Sequence, residues 1–371
     1  MWSAEGGVGF PLKPSLSYLA YQGLVERDQL LWVARSKLEG RSASACEAVD
    51  LDGNVRVVSC DKRLPILCTQ SAPVSNATFA NKTTTYQISH QAGDLTLTGF
   101  RDFYTWKFLG IRYAPQPERF EWSTVWRGSG SASALNFGPD CPQQPHDFPG
   151  PFSEDCLFLS IWTPHLPQPK LDDAAKTDAG KKGLRPVMLY LYGGGLHSGS
   201  TTNPHTDCTN LASRGDIVCV AINYRVGNLG FLVLDDGVHR GNYGLQDMIT
   251  ALQWVQQNIQ SFGGDPSSVT IFGESGGADG IRALLASPKA TGLFSRAVLM
   301  SAASGLSSYG PLANYSSVQT QYNRVTQLVL NMTGCATAVS PLVCLKEYDA
   351  EGLVTLGYQK NGDWALAANS L

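Results

Sequence analysis

The chain has 371 residues, 43% of them hydrophobic and 16% charged, which is enough apolar material for a large core in about two domains and too little charge for a disordered polyelectrolyte. Lys plus Arg less Asp plus Glu is 28 − 31 = −3, a balance that excludes the basic surface of a general nucleic-acid binder. The 38 glycines and 20 prolines follow no three-residue period, so a collagen-like rod is excluded and the glycines are read at individual turns.

In chain order, residues 1–70 come first, with short apolar runs at 30–34, 55–58 and 64–67 separated by polar turns, the pattern of small strands. Cys46 and Cys60 bracket a glycine-containing stretch and Cys68 follows. This arrangement resembles the carboxyl-terminal end of a C-type-lectin-like domain, and the resemblance implies a Cys46–Cys60 bridge and a third cysteine that reaches a partner far upstream. No upstream cysteine is present. The segment is therefore expected to be a small disulfide-clipped module, a lectin-like remnant. Residues 71–95 are rich in Ser, Thr and Asn at their start and read as a linker.

From residue 96 the character changes. Apolar runs at 95–98, 158–162, 187–191, 217–222, 269–272 and 297–300 are candidate strands, and several are apolar on both faces, as central strands under two helical layers must be. Between the fourth and fifth, Leu245, Met248, Ile249, Leu252, Val255 and Ile259 recur at helical spacing, and Gly263-Gly264-Asp265-Pro266 ends that helix. The right-handed crossover rule then predicts successive strands in one parallel sheet. Residues 165–186, with Asp172-Asp173 and Lys181-Lys182, interrupt the rhythm as a solvated loop.

The run 269–272 leads directly into Gly273-Glu274-Ser275-Gly276-Gly277. A buried strand, a tight glycine-flanked turn and a helix start are the setting of a nucleophile elbow, where side chains at 273 or 277 would crowd the turn that presents the serine. Upstream, Tyr192-Gly193-Gly194-Gly195 follows another strand end, and a loop without side chains brings amide hydrogens close to a reacting carbonyl. It has neither the Gly-Lys-Ser/Thr ending of a phosphate loop nor dinucleotide spacing.

These segments, with Phe108-Leu109-Gly110-Ile111-Arg112-Tyr113-Ala114, the stretch from Glu154-Asp155-Cys156 to Trp162-Thr163-Pro164, Asn223-Tyr224-Arg225-Val226-Gly227, Gly241-Asn242-Tyr243-Gly244-Leu245-Gln246-Asp247 and Phe262-Gly263-Gly264-Asp265-Pro266, make residues 96–371 closely similar to type-B carboxylesterases, a family that includes fungal lipases and cholinesterases. The resemblance implies an α/β-hydrolase fold, incomplete at its carboxyl-terminal end, and hydrolysis of a small-molecule or lipid carboxylic ester without metal or organic cofactor. It makes Ser275 the acylated nucleophile and the amides of Gly194, Gly195 and Gly276 the oxyanion hole, with Glu274 beside the active-site gorge and Ser301 in support of a catalytic histidine. Phe108 to Ala114 matches the family's early loop. Gly276 stands where the family usually has alanine, a change expected to loosen the backbone. The resemblance also implies ion pairs Arg119–Glu154 and Arg225–Asp247 and bridges Cys141–Cys156 and Cys335–Cys344. Cys219 falls in a predicted buried strand, where a small apolar thiol is common, and is expected to be free of Cys208. No Cys/His cluster has zinc-ligand spacing.

The family's acid and histidine follow its serine, yet His90, His146, His165, His197, His205 and His239 all precede Ser275, and 371 − 275 = 96 residues remain. The expectation is that both partners lie beyond residue 371 and that the chain as it stands turns over poorly. The short Cys141–Cys156 interval contains no Trp to contact a quaternary ammonium, which speaks against acetylcholine, while Leu196 suggests an apolar acyl pocket.

Acceptor triplets at Asn76, Asn81, Asn314 and Asn331, together with nine cysteines, point to an oxidising secretory route. The first residues lack the charged and apolar regions of a signal peptide, so that peptide is expected upstream of Met1. No run reaches the ~20 apolar residues of a membrane helix. The competing reading is a noncatalytic secreted adhesion or carbohydrate-binding protein.

Overall fold

The computed structural model describes parts of 13–33 and residues 45–66, 82–144, 150–167, 183–302 and 317–356. The chain forms two compact units, Met1–Ser71 and Ala72–Leu371.

In the first unit β1 (Leu31–Trp32), β2 (Ala45–Val49) and β3 (Val55–Ser59) form an antiparallel sheet in that order. Cys46 lies opposite Val58, and Cys60 just beyond β3 closes a disulfide onto it. Asp50 fixes the connecting turn by accepting from the amides of Asp52 (3.1 Å) and Asn54 (2.9 Å) and from the Arg56 guanidinium. These bonds, the Asn54 amide foremost, hold its carboxyl down at about 2. The expected strand at 64–67 is reduced to a single bridge from Ile66 to Trp32. Cys68 lies outside the described residues, and the calls on Asp172-Asp173, Lys181-Lys182, His146, Asn76, Asn81 and Asn314 fall outside them too.

Among the described residues, the second unit is built on one nine-stranded mixed sheet. Its strands are β4 (Gln87–Ala92), β5 (Leu95–Asp102), β6 (Thr105–Arg112), β7 (Gly130–Ser133), β8 (Phe158–Thr163), β9 (Arg185–Leu191), β10 (Val218–Ile222), β11 (Gly264–Glu274) and β12 (Arg296–Met300). The order is β12-β11-β9-β10-β8-β6-β5-β4, with β7 beside β5. The all-parallel expectation holds for β9 to β12, and β7 also runs parallel to β5, but β10 meets β8 antiparallel, as do β8 and β6, β6 and β5, and β5 and β4. Tight turns at 93–94 and 103–104 make hairpins of β4–β5 and β5–β6, whereas β6 reaches β8, and β8 reaches β10, through long connections.

Two further expectations change. Residues 87–92, counted as linker, are the edge strand β4, because Ile88, His90 and Ala92 alternate onto the core side, His90 against Phe108 and Phe262, while Ser89 and Gln91 are exposed. Residues 108–112, matched to an early loop, are strand: Phe108 and Ile111 are buried and paired to Ile161 and Leu159.

Alternation decides the two sheet faces. On β10, Val218, Val220 and Ile222 enter the main core with the helix Tyr243–Asn258, whose Met248, Ile249, Leu252 and Val255 are buried as the spacing requires. Cys219 and Ala221 point the other way, into a cluster with Trp162, Phe100, Ala212 and Cys208. There Cys219 is bonded to Cys208, so it is not a free thiol. The reason is tertiary: the helix Thr209–Gly215 begins just after Cys208 and covers the face onto which Cys219 projects. Cys141–Cys156 and Cys335–Cys344 are also bridged. At the β12 edge Val298 (44%), Leu299 (37%) and Met300 (39%) remain exposed, unlike the strands inside the sheet. Among the described residues no helix is long and apolar enough to cross a membrane.

Candidate active site

Strand β11 is held in register between β9 and β12 up to Gly273 and Glu274. Beyond it the chain turns sharply: Ser275 has φ 52° and ψ −123°, a region that costs a non-glycine residue about 1–3 kcal/mol, and the helix Gly276–Ala286 starts at the next residue. The turn is over-determined. The Ser275 amide donates to the Met300 carbonyl at 2.9 Å, and the Ser275 carbonyl accepts from Asp279 at 3.0 Å. The result is a half-buried hydroxyl at a helix N-terminus, where unpaired amides and the helix dipole favour developing negative charge.

Glycine is needed on both sides for space. A Cβ at 273 would lie 2.8 Å from the Leu191 carbonyl oxygen, and one at 277 would press on that same oxygen and stand 2.7 Å from the Tyr192 carbonyl. Gly277→Ala is therefore expected to destabilise the fold by about 1–3 kcal/mol, measured as a lower midpoint of denaturant unfolding at unchanged slope. An unchanged midpoint would show that the elbow relaxes freely.

The loop after β9 closes over this turn. Gly193 rests against Glu274, where an added Cβ would be 2.9 Å from its Oε2 and 3.3 Å from the Ser275 Cβ. Gly194, with φ 104°, turns the chain and accepts from the His197 amide (3.0 Å) and the Ser198 amide (3.2 Å). The nitrogens of Gly195 and Leu196 then lie close to Gly276: each would be 2.8 Å from a Cβ placed there. Gly276 is already helical, so the absent side chain matters here through the room it leaves for the loop rather than through backbone freedom.

The structure thus brings Ser275, Gly193, Gly195, Gly276 and Glu274 together, with Gly194 as the bend of the same loop. Leu196, expected only as a pocket wall, also brings its backbone nitrogen beside Gly276. It is buried at φ 63°, and its carbonyl accepts from Gly227 at 2.7 Å. Glu274 is exposed at the strand end. Ser301 follows β12 with φ 53° and is exposed.

Supports for the loop escaped the sequence reading. Tyr192 and Tyr224 stack at 4.2 Å, and each hydroxyl donates to the other residue's carbonyl, at 2.7 and 2.6 Å. Gln143 donates to the Gly199 carbonyl (3.1 Å) and accepts from its amide (2.6 Å), and the Cys141–Cys156 bridge anchors the segment that carries it. Asp140 accepts from the hydroxyls of Ser200 and Thr202 and from the Gly150 amide. A tyrosine before a glycine run was the one available signal, since partners 32 residues away leave no local pattern.

Both expected ion pairs are present. Arg119 meets Glu154 through two 2.7 Å bonds and also donates to the carbonyls of Leu345 and Tyr348, and Arg225 meets Asp247. No described histidine is bonded to the Ser275 hydroxyl. His90 takes the Ser261 carbonyl, His165 faces Asp216, and His239 lies against Asp236. His197 is in the loop itself, its Cδ2 3.5 Å from the position of a Cβ on Gly195. Burial pushes its imidazole down to about 4, from the 6.5 of a solvated histidine.

Because His197 binds its proton more weakly folded than unfolded, the stability it contributes is complete above about pH 6.5 and is lost as pH falls towards 4. Replacing His197 with Gln is expected to flatten the decline of thermal midpoint across that window. An identical slope in the variant would assign the acid sensitivity to other groups.

Comparison with known proteins places these elements. Residues 94–366 match the model of the carboxylesterase family. Esterase E4 of Myzus persicae is 36% identical over 265 residues, covering 67% of this chain and 43% of that protein, and neuroligin-3 of Mus musculus is 35% identical over 286 residues, covering 67% and 33%. Among solved structures, an esterase from Clostridium hathewayi described as hydrolysing aliphatic aromatic polyesters superposes with a TM-score of 0.59 at 29% identity, covering 72% of this chain and 52% of that one. The chain spans less than half of these curated relatives and about half of the solved structure.

Proposed function

Because the chain belongs to the carboxylesterase family, we propose that its protein hydrolyses small-molecule or lipid carboxylic esters through an acyl-enzyme on Ser275. The observation that carries this reading is the elbow itself: a serine held at φ 52° on a helix N-terminus, with the amides of Gly195 and Leu196 packed over Gly276 beside it.

The chemistry follows from charge. The Ser275 oxygen attacks the ester carbonyl, its proton passes to a base, and the carbonyl oxygen becomes an oxyanion that the amides of Gly194, Gly195 and Gly276 receive, with Leu196 as a further donor. Each such donor is worth about 3 kcal/mol of the barrier. Collapse expels the alcohol, and water then releases the acid by the same steps. Leu196 and the apolar surroundings of the loop favour an apolar acyl group. Four disulfides among the described residues and the acceptor triplets support a secretory location.

Incubation of the intact gene product with an alkyl phosphonate that carries a reporter tests the assignment, followed by mass mapping of the modified peptide. The reading expects one equivalent on the peptide containing Ser275 and competition by an apolar aryl ester. Label on another residue, or none in a folded intact protein, would refute it and leave a binding or adhesion role.

A further inference from the structure

We propose that Asn331 carries an N-linked glycan that covers an apolar stripe on the helical segment 318–333. Of the four acceptor triplets, Asn331-Met332-Thr333 is the one whose asparagine lies among the described residues, in the helix Gln327–Thr333. That helix buries Val329 and Leu330, and its outward side is unusual: Leu328 is 46% exposed and Met332 51%, with Asn331 exposed between them. Residues three and four apart share a helix face, so 328, 331 and 332 form one patch. Among the described residues the Asn331 side chain has no hydrogen-bond partner, while its carbonyl accepts from Gly334 at 3.2 Å.

An oligosaccharide fits both features. Its carbon–hydrogen faces cover Leu328 and Met332 while its hydroxyls remain in water, which removes apolar area from solvent without burying a polar group. In the attachment step the Asn331 Nδ2 bonds to the anomeric carbon of a lipid-pyrophosphate oligosaccharide. The anomeric carbon–oxygen bond breaks, the lipid pyrophosphate leaves with the electron pair, and one amide proton passes to solvent. The Thr333 hydroxyl donates to the Val329 carbonyl at 2.8 Å in the folded helix, so attachment precedes closure of this turn.

The full chain is translated into microsomal vesicles behind a heterologous export signal, and its glycans are removed enzymatically in heavy-oxygen water. Asn331 is expected to convert to isotope-marked Asp, and N331Q to lose one mobility step. The secreted N331Q chain should then bind about twofold more apolar dye than the glycosylated chain, and the added changes Leu328→Lys and Met332→Lys should remove that increase. An unmarked Asn331 overturns the site. A marked Asn331 whose loss leaves dye binding unchanged overturns the covering role, and the triple variant separates exposure of this patch from general misfolding.

Discussion

Ser275→Ala is expected to lower kcat for an activated aryl ester by about 10⁶-fold in the intact protein, with KM little changed and phosphonate labelling lost. The size follows from the proposed mechanism, in which this hydroxyl is the atom that becomes acylated: without it only the amide donors and binding would remain to stabilise direct attack by water, a residue of ~10³–10⁴ over the uncatalysed rate. Fold stability should suffer little, because the Ser275 side chain makes no cap hydrogen bond to its helix and alanine takes the same strained backbone. Ser275→Gly separates the two effects. It should be equally inactive but more stable than alanine, since glycine adopts positive φ without the steric penalty that Ser275 bears. Hydrolysis by Ser275→Ala within about tenfold of the parent would place the chemistry elsewhere.

The second large effect is on folding. Asp247→Asn is expected to cost about 3–5 kcal/mol, read from denaturant midpoints. Asp247 is fully buried, and its two oxygens accept from Arg225 Nε (2.8 Å), Nη2 (2.9 Å) and backbone N (3.1 Å). The asparagine leaves the Arg225 guanidinium charged and unpaired, with the Tyr243 ring 5.6 Å away as its remaining neighbour of note. The pair ties the segment that follows β10 to the helix Tyr243–Asn258, and Tyr224 belongs to the same buried cluster as that helix. Replacing both residues, Arg225→Met with Asp247→Leu, should therefore cost less than the sum of the single changes, because no buried charge is stranded. Strict additivity would mean that the two residues act separately.

How far the site was legible follows from the reach of each interaction. The elbow is local: five residues, two of them glycines forced by the carbonyls of Leu191 and Tyr192, announce a turn that only one chemistry commonly uses. The helix Tyr243–Asn258 is local too, written in its spacing. Strand β6 was hidden because its buried Lys107 breaks the apolar run. Only the fold shows why a lysine belongs there, with Asp102 at 2.6 Å and Asp207 at 2.8 Å around its Nζ. The Cys208–Cys219 bridge was missed for the same reason: strand alternation tells which way Cys219 points, but not which helix waits on that side.

By itself the sequence determined the central strands, the glycine-flanked turn at Ser275 and the glycine loop, because each is specified by neighbours within one element and by apolar period. Tertiary structure alone decided that the sheet is mixed, that Tyr192 and Tyr224 lock together, and that the Gly195 and Leu196 amides fill the space left by a missing side chain at Gly276. Those outcomes depend on contacts between residues tens of positions apart, whose energies exist only once the chain has closed on itself.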